Sequence, residues 1–330
     1  MAPLRRAAHG PLSGASGELI GLGTLLVLVV ALFGLTTPRF LSTATFQSIA
    51  YQMPELGILT LAMMIPILSG GLNLAVTFTA NISGLVLAWT LQAFGGAGAG
   101  GFAFALGVLA ALGTGALAGW FMGVIVAYVG AHPILVSLSM MIFLAGLGEF
   151  LTRGGDISGF PDFASTLGHG TLVGIPVPMI VFGLCVAAWQ LLLTRTRLGF
   201  STYMIGSNLE ATRYSGVNTA RVLTSVYMLS GLMSAVAGII MLARFNSVRV
   251  GHGEAYLLIT VLACFLGGLD PFGGFGRTVS VVIALLILQV ISSGLNLLGA
   301  NQHLATALWG TFLVLVMVVR WIWLRKRGHT

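Results

Sequence analysis

Charge is what this sequence has least of. Of its 330 residues, 7% are Asp, Glu, Lys or Arg, against roughly 25% in a soluble domain. Lysine occurs once, at position 326, and cysteine twice, at positions 185 and 264. Each shortage excludes something. With its one lysine in the terminal tail, the chain has no G-x-x-x-x-G-K-[ST] loop, whose lysine must reach a nucleotide's phosphates. Two cysteines set apart inside apolar blocks build neither a disulfide framework nor a metal site and read as helix-packing residues. The histidines at 9, 132, 169, 252, 303 and 329 are scattered. They offer no H-E-x-x-H spacing, so no metal is expected, and no serine sits in a G-x-S-x-G elbow. An enzyme is therefore not expected, and no catalytic residue is assigned.

What is present is apolar: 57% of the chain. It comes in blocks of about 20 residues, the length that a hydrocarbon core about 30 Å thick requires of a helix. A transmembrane β-barrel would show alternating runs of about 10 residues instead. The fold class is all-α, a polytopic membrane protein with about ten spans, near 19–36, 54–69, 74–93, 102–129, 133–151, 175–193, 222–243, 255–269, 278–298 and 303–323. Only Gly70 to Asn73 separates the second from the third, which reads as a broken or re-entrant span. Non-helical backbone at that depth needs protein or a water-filled cavity around it. The domain plan is a tail at 1–18, one transmembrane domain at 19–323 and a basic tail at 324–330. Arg5 and Arg6 before an apolar run resemble a signal peptide, but with no small-residue cleavage pattern the run reads as a retained first helix.

The arginines sit singly between blocks, as topology signals do, and offer no clustered basic face for nucleic acid. With both termini in the cytoplasm, Arg5, Arg6, Arg195, Arg197, Arg213, Arg221, Arg277, Arg320, Arg325, Lys326 and Arg327 fall inside. Arg39, Arg153, Arg244 and Arg249 fall outside. That asymmetry is the positive-inside bias. Two connections stand out. Residues 152–174 form a glycine-rich outer loop. Residues 194–221 form an inner loop with four arginines and a short helix from about Leu209 to Ser215, a natural docking surface. Gly107, Ala111, Gly115, Gly119, Gly123 and Ala127 recur every four residues and give the fourth span a small-residue face for close helix packing.

Charge inside the membrane usually marks an ion or proton path. Glu55 and Glu149 are expected near helix ends, and no buried carboxylate–arginine pair is expected, which weakens an ion-coupled secondary carrier. The uncharged polar residues are more suggestive. Asn73, Thr77 and Asn81 share one face of the third span, and Gln289, Ser292, Ser293 and Asn296 one face of the ninth. Amides and hydroxyls can hydrogen-bond a neutral polyhydroxylated solute, or they can bond neighbouring helices. Both readings stand at this point.

The segment from Arg195-Thr-Arg-Leu-Gly-Phe through Ile205-Gly-Ser-Asn-Leu-Glu-Ala-Thr-Arg-Tyr-Ser-Gly-Val-Asn218 resembles the cytoplasmic loop of ribose-type ABC sugar permeases. So do Tyr227-Met-Leu-Ser-Gly-Leu-Met, Phe272-Gly-Gly-Phe-Gly-Arg277, Ser293-Gly-Leu-Asn-Leu-Leu-Gly299, His132-Pro-Ile-Leu-Val-Ser-Leu and Gly174-Ile-Pro-Val-Pro178. The resemblance covers nearly everything after residue 40. It implies an inner-membrane subunit that passes a sugar or sugar-like neutral solute and works with three partners: a second permease chain, a cytoplasmic ATPase that alone binds ATP and magnesium, and a periplasmic solute-binding protein. It places Asn208, Glu210, Ala211, Arg213 and Gly216 in the ATPase-coupling segment. The family's Gly-Gly-Ile-Asp-Leu-Ser-Val-Gly stands here as Gly70-Gly-Leu-Asn-Leu-Ala-Val-Thr77. Its Gly-Gly-Thr-Ser stands here as Gly267-Gly-Leu-Asp270. These departures fit an unusual solute, or a subunit that pairs with a different permease.

Overall fold

The structure, a computed structural model, describes residues 11–300, 307–312, 314 and 318. In chain order the helices are α1 Pro11–Thr36, α2 Thr43–Leu68, α3 Val76–Ala93, α4 Gly101–Val124, α5 Pro133–Thr152, α6 Asp162–His169, α7 Val177–Arg195, α8 Arg197–Ser207, α9 Leu209–Tyr214, α10 Thr219–Phe245, α11 Tyr256–Leu266 and α12 Thr278–Leu297. Four two-residue strands make two clips: β1 Ile157–Ser158 pairs with β4 Ser247–Val248, and β2 Thr171–Leu172 with β3 Ile175–Pro176. Residues 307–312, 314 and 318 are helical. The expected last span at 303–323 is thus described only in part. The tails at 1–10 and 324–330, with Arg5, Arg6, Arg325, Lys326 and Arg327, lie outside the described residues, as do His303 and Arg320.

Seven of these helices are long and apolar enough to cross a membrane: α1, α2, α4 with its continuation to Val129, α5, α7, α10 and α12. α11 has 11 residues, about 16 Å at 1.5 Å each, roughly half of a bilayer core. The expected span at 255–269 is therefore a half-length helix followed by a turn at Gly267 and Gly268.

α2 is the innermost element, buried along nearly its whole second half. Its apolar side chains, among them Ile58, Leu59, Met63, Met64 and Ile67, meet Trp189, Tyr227, Leu262 and Leu285 in one core. The partners show how the chain threads. Along α10, Ser230 meets Ala62 and Arg244 meets Glu55, so α2 runs antiparallel to it. Ser230 also meets Asn73 and Gly238 packs on Ala80, so α3 runs parallel to α10. Gly115 lies against Gly231 and Gly123 against Thr224, so α4 is antiparallel. The chain therefore reverses between α2 and α3. The bundle has an α8–α9 side, which also carries the connections at 69–75, 130–132 and 267–277. Its opposite, α6 side carries those at 37–42, 94–100, 153–176 and 246–255.

The small-residue stripe on α4 does what its spacing indicates. A methyl on Gly115 or Gly119 would overlap the backbone of α10 at Gly231 or Tyr227, and one on Gly231 would overlap Gly115. Gly107 faces Leu87 of α3 instead. Past Val124 the helix loosens into a π-helical turn, Ile125–Val129, and ends at Gly130 with φ 76°.

Three expectations are corrected. The second span begins at Thr43 rather than 54: Ser42 caps it, its hydroxyl accepting from Thr45 N–H at 3.3 Å, and Pro54 lies inside. Glu55 consequently stands midway along α2, fully buried, and not near an end. It is paired with Arg244 at 2.8 Å, so a buried carboxylate–arginine pair does exist. Arg244 reaches Glu55 from the last turn of α10.

Candidate functional site

The inner loop is mostly helix. α7 stops at Arg195, and Thr196 opens α8 by accepting from Gly199 N–H at 3.1 Å. α8 runs to Ser207, and Asn208 starts α9: its side-chain oxygen accepts from Ala211 N–H at 2.9 Å, the standard use of Asn at a helix start. Glu210 follows in the first turn and Arg213 in the last, each carrying the charge that the helix dipole favours at its end. Gly216, at φ 82°, stops the helix with its N–H on Arg213 O, the C′ role of glycine. Asn208, Glu210, Ala211, Arg213 and Gly216 are all exposed, whereas Thr212 turns inward and is buried. Between α8 and α9 lies a groove of about 310 Å³ lined by Phe200, Tyr203, Met204, Ser207, Ala211 and Ser215. Its floor is fixed by Tyr203, whose hydroxyl donates to Gly276 O at 2.9 Å. Burial pushes the Tyr203 phenol up, against the pull of nearby Arg277, which keeps that proton in place.

The polar residues of the third and ninth spans do not share one site. Asn73 is fully buried. Its oxygen accepts from Ala75 N–H at 3.0 Å and its amide donates to Ser230 Oγ at 2.9 Å. Ser230 in turn donates to Ala62 O at 2.7 Å. This chain of bonds holds the α2–α3 reversal against α10. Asn81, with its amide turned to suit both neighbours, donates to His252 O at 3.1 Å and accepts from Gly251 N–H at 3.0 Å. It thereby fastens the 246–255 connection to α3. Burial pushes the His252 imidazole down; Arg249 adds to this and Asp156 opposes it. Thr77 is buried with its hydroxyl unpaired among the described residues.

Gln289 and Ser292 line a separate cavity of about 60 Å³ with Gln52, Leu56, Tyr256, Ile259, Leu288 and Trp309. Across it Gln289 donates to Gln52 at 3.3 Å. Amides, hydroxyls and two aromatic rings surround this space. The Glu55–Arg244 pair lies one residue along α2 from its wall. Ser293 is half-buried nearby, and Asn296 is exposed at the α6-side end of α12. Sequence reading missed Gln52, Glu55, Arg244 and Tyr256. The signal was Ser42 as a helix cap three residues before Thr45. Starting α2 there puts Gln52, Glu55 and Leu56 inside the bundle. Cys264 is buried with its thiol toward Thr60 O at 3.7 Å, and Cys185 is half-buried; both are free thiols.

A bundle of membrane-spanning helices around an apolar core, with a small polar-lined cavity and a capped, exposed helical segment on one side, fits a membrane transport subunit. No metal-holding cluster occurs among the described residues. Residues 45–319 match the family described as the permease component of the branched-chain amino acid transport system, and the chain belongs to that family. It is 30% identical over 329 residues to the autoinducer 2 import system permease protein LsrD of Yersinia enterocolitica, covering 95% of this chain and 97% of that one. It is 30% identical over 316 residues to the protein of the same name from Yersinia pseudotuberculosis strain YPIII and to that from Yersinia pestis strain Pestoides F. In both cases the match covers 94% of this chain and 93% of the relative. No solved structure matches the chain. The resemblance to ABC sugar importer permeases holds at the level of the permease class.

Proposed function

We propose that this chain is the membrane subunit of an ATP-driven importer. A separate cytoplasmic ATPase binds on the α8–α9 side, a solute-binding protein delivers from the α6 side, and a second permease chain completes the pathway. The chain's termini then lie on the ATPase side. The observation that carries this reading is the α8–α9 segment. All five coupling residues are exposed on a short, doubly capped helix beside an open groove, above a floor bonded to the bundle. A surface helix that is rigid yet exposed suits a lever pressed by another protein. ATP and magnesium belong to that partner.

The solute is a neutral, sugar-like molecule. Supporting this, the polar lining around Gln289 and Ser292 is uncharged, and the buried Glu55 lies against a balancing charge on Arg244. The named relatives import autoinducer 2, which makes that compound the first candidate. A carrier coupled through an interior carboxylate needs that group free to exchange its ion, and Glu55 is buried and paired with Arg244. The test is co-purification of the ATPase with this chain, followed by Glu210→Arg and Gly216→Pro in the assembled importer. Both variants are expected to fold and to lose at least ten-fold of ATP-driven uptake. Unchanged uptake in either would remove the coupling role.

A further inference from the structure

Three segments distant in sequence meet backbone to backbone where α8 leads into α9. The first is the α2–α3 reversal, residues 69–75. The second is the last turn of α8, Gly206 and Ser207, which leads straight into the cap of α9. The third is the α11–α12 connection, residues 267–277. Gly274 N–H donates to Leu68 O at 2.9 Å and so joins the first to the third. Gly206 lies against that hydrogen bond: a methyl on it would overlap both Leu68 O and Gly274 N. Gly273 at φ 92° faces Gly70 N–H and the Gly206 Cα, and Gly274 at φ 80° faces Ser207. One turn back on α8, Tyr203 holds Gly276 O.

A junction made of side chains yields when pushed, because rotamers change at little cost. Backbone against backbone has no such slack, since closely packed atoms resist compression. Each of the three segments leads to an element that matters. The first joins α2, the central helix, to α3; the second leads into the Asn208 cap of α9; and the third, ending at Arg277, precedes α12, which carries Gln289 and Ser292.

We infer that this glycine junction, with Gly206 as its keystone, transmits motion of the α8–α9 segment to α2, α3 and α12 during transport. The inference rests on the coupling role proposed above and names its mechanical route. Gly206 is a positioning residue. It lies in helical backbone where alanine is sterically normal, so Gly206→Ala changes only the approach of α8 to the two loops.

The experiment uses the full importer with its ATPase, with Ser292→Cys as a reporter in a Cys185→Ala, Cys264→Ala background that is first shown to retain ATP-driven uptake, and a membrane-impermeant maleimide as the probe. With Gly206 intact, ATP is expected to change the labelling rate at position 292. In Gly206→Ala the ATPase is expected to co-purify and hydrolyse ATP, while the ATP-dependent change in labelling falls at least five-fold. A full ATP response in Gly206→Ala would overturn the inference, as would loss of the ATPase, which would make the junction part of docking itself. Should Gly206→Ala fail to accumulate, Tyr203→Phe decides. It removes one hydroxyl bond and is expected to lower the response two- to three-fold, and an undiminished response there overturns the route. Absence of the ATPase from the complex with Gly206 intact would instead remove the proposed function, and this route with it.

Discussion

Two buried polar residues show how much rests on single atoms in this bundle. Glu55 and Arg244 lie 2.8 Å apart, the carboxylate fully buried. Removing one partner leaves the other charge uncompensated, which costs about 3–5 kcal/mol, whereas replacing both with apolar residues of similar volume is often neutral. Glu55→Ala is therefore expected to lower the melting temperature of the detergent-solubilised protein sharply. Glu55→Leu combined with Arg244→Met is expected to restore most of it. Equal loss in the single and double variants would mean that packing rather than charge sets the cost. Asn73 makes a similar case. Ser230 spends its hydroxyl proton on Ala62 O, so its oxygen needs a donor, and the Asn73 amide supplies one. An aspartate would present only acceptors. Asn73→Asp is expected to cost about 1–3 kcal/mol, the range for a buried polar group left unpaired. A melting temperature equal to that of the parent protein at pH 8 would contradict this. The departure from Gly-Gly-Ile-Asp falls on a residue whose amide is bonded inside the protein.

At the scale of elements, the α4–α10 contact is the sharpest test of packing. Gly119 touches the Tyr227 backbone, while Gly113, on the same helix, has nothing within 4 Å. Overpacking costs roughly 1–3 kcal/mol, and alanine in an open helical position gains up to about 1 kcal/mol over glycine. Gly119→Ala is expected to destabilise and Gly113→Ala to be neutral or mildly stabilising, read as melting temperatures in one detergent. The reverse order would refute the packing face. This face was legible in the sequence because a period of four survives any error in boundaries. The α2–α3 break and the α9 helix were legible for the same kind of reason: glycines and an asparagine cap mark them locally. The start of α2 was not. Residues 43–53 are polar and partly exposed, so hydropathy set the boundary at Pro54, and Glu55 was placed at an end. α8 was hidden too, because it follows α7 after only Thr196 and carries no apolar run.

Across the whole molecule, composition stated the class and the chain's threading supplied the sides. Alternating helix directions put the 194–221 segment and the 69–75 and 267–277 connections together. That meeting depends on packing between segments up to about two hundred residues apart, which no local pattern encodes. The polar residues show the same limit: shared helix faces put Asn73 with Asn81 and Gln289 with Ser292, but only the fold separates the two sets. The central claim is that an external ATPase, and not an ion gradient, drives solute through this chain. It is tested by reconstituting the permease with its ATPase and solute-binding protein in proteoliposomes and following radiolabelled autoinducer 2 alongside ribose. Uptake of at least one is expected only when ATP reaches the α8–α9 side, and it should vanish without the ATPase. Uptake driven by a proton or sodium gradient in vesicles holding this chain without an ATPase would contradict the account.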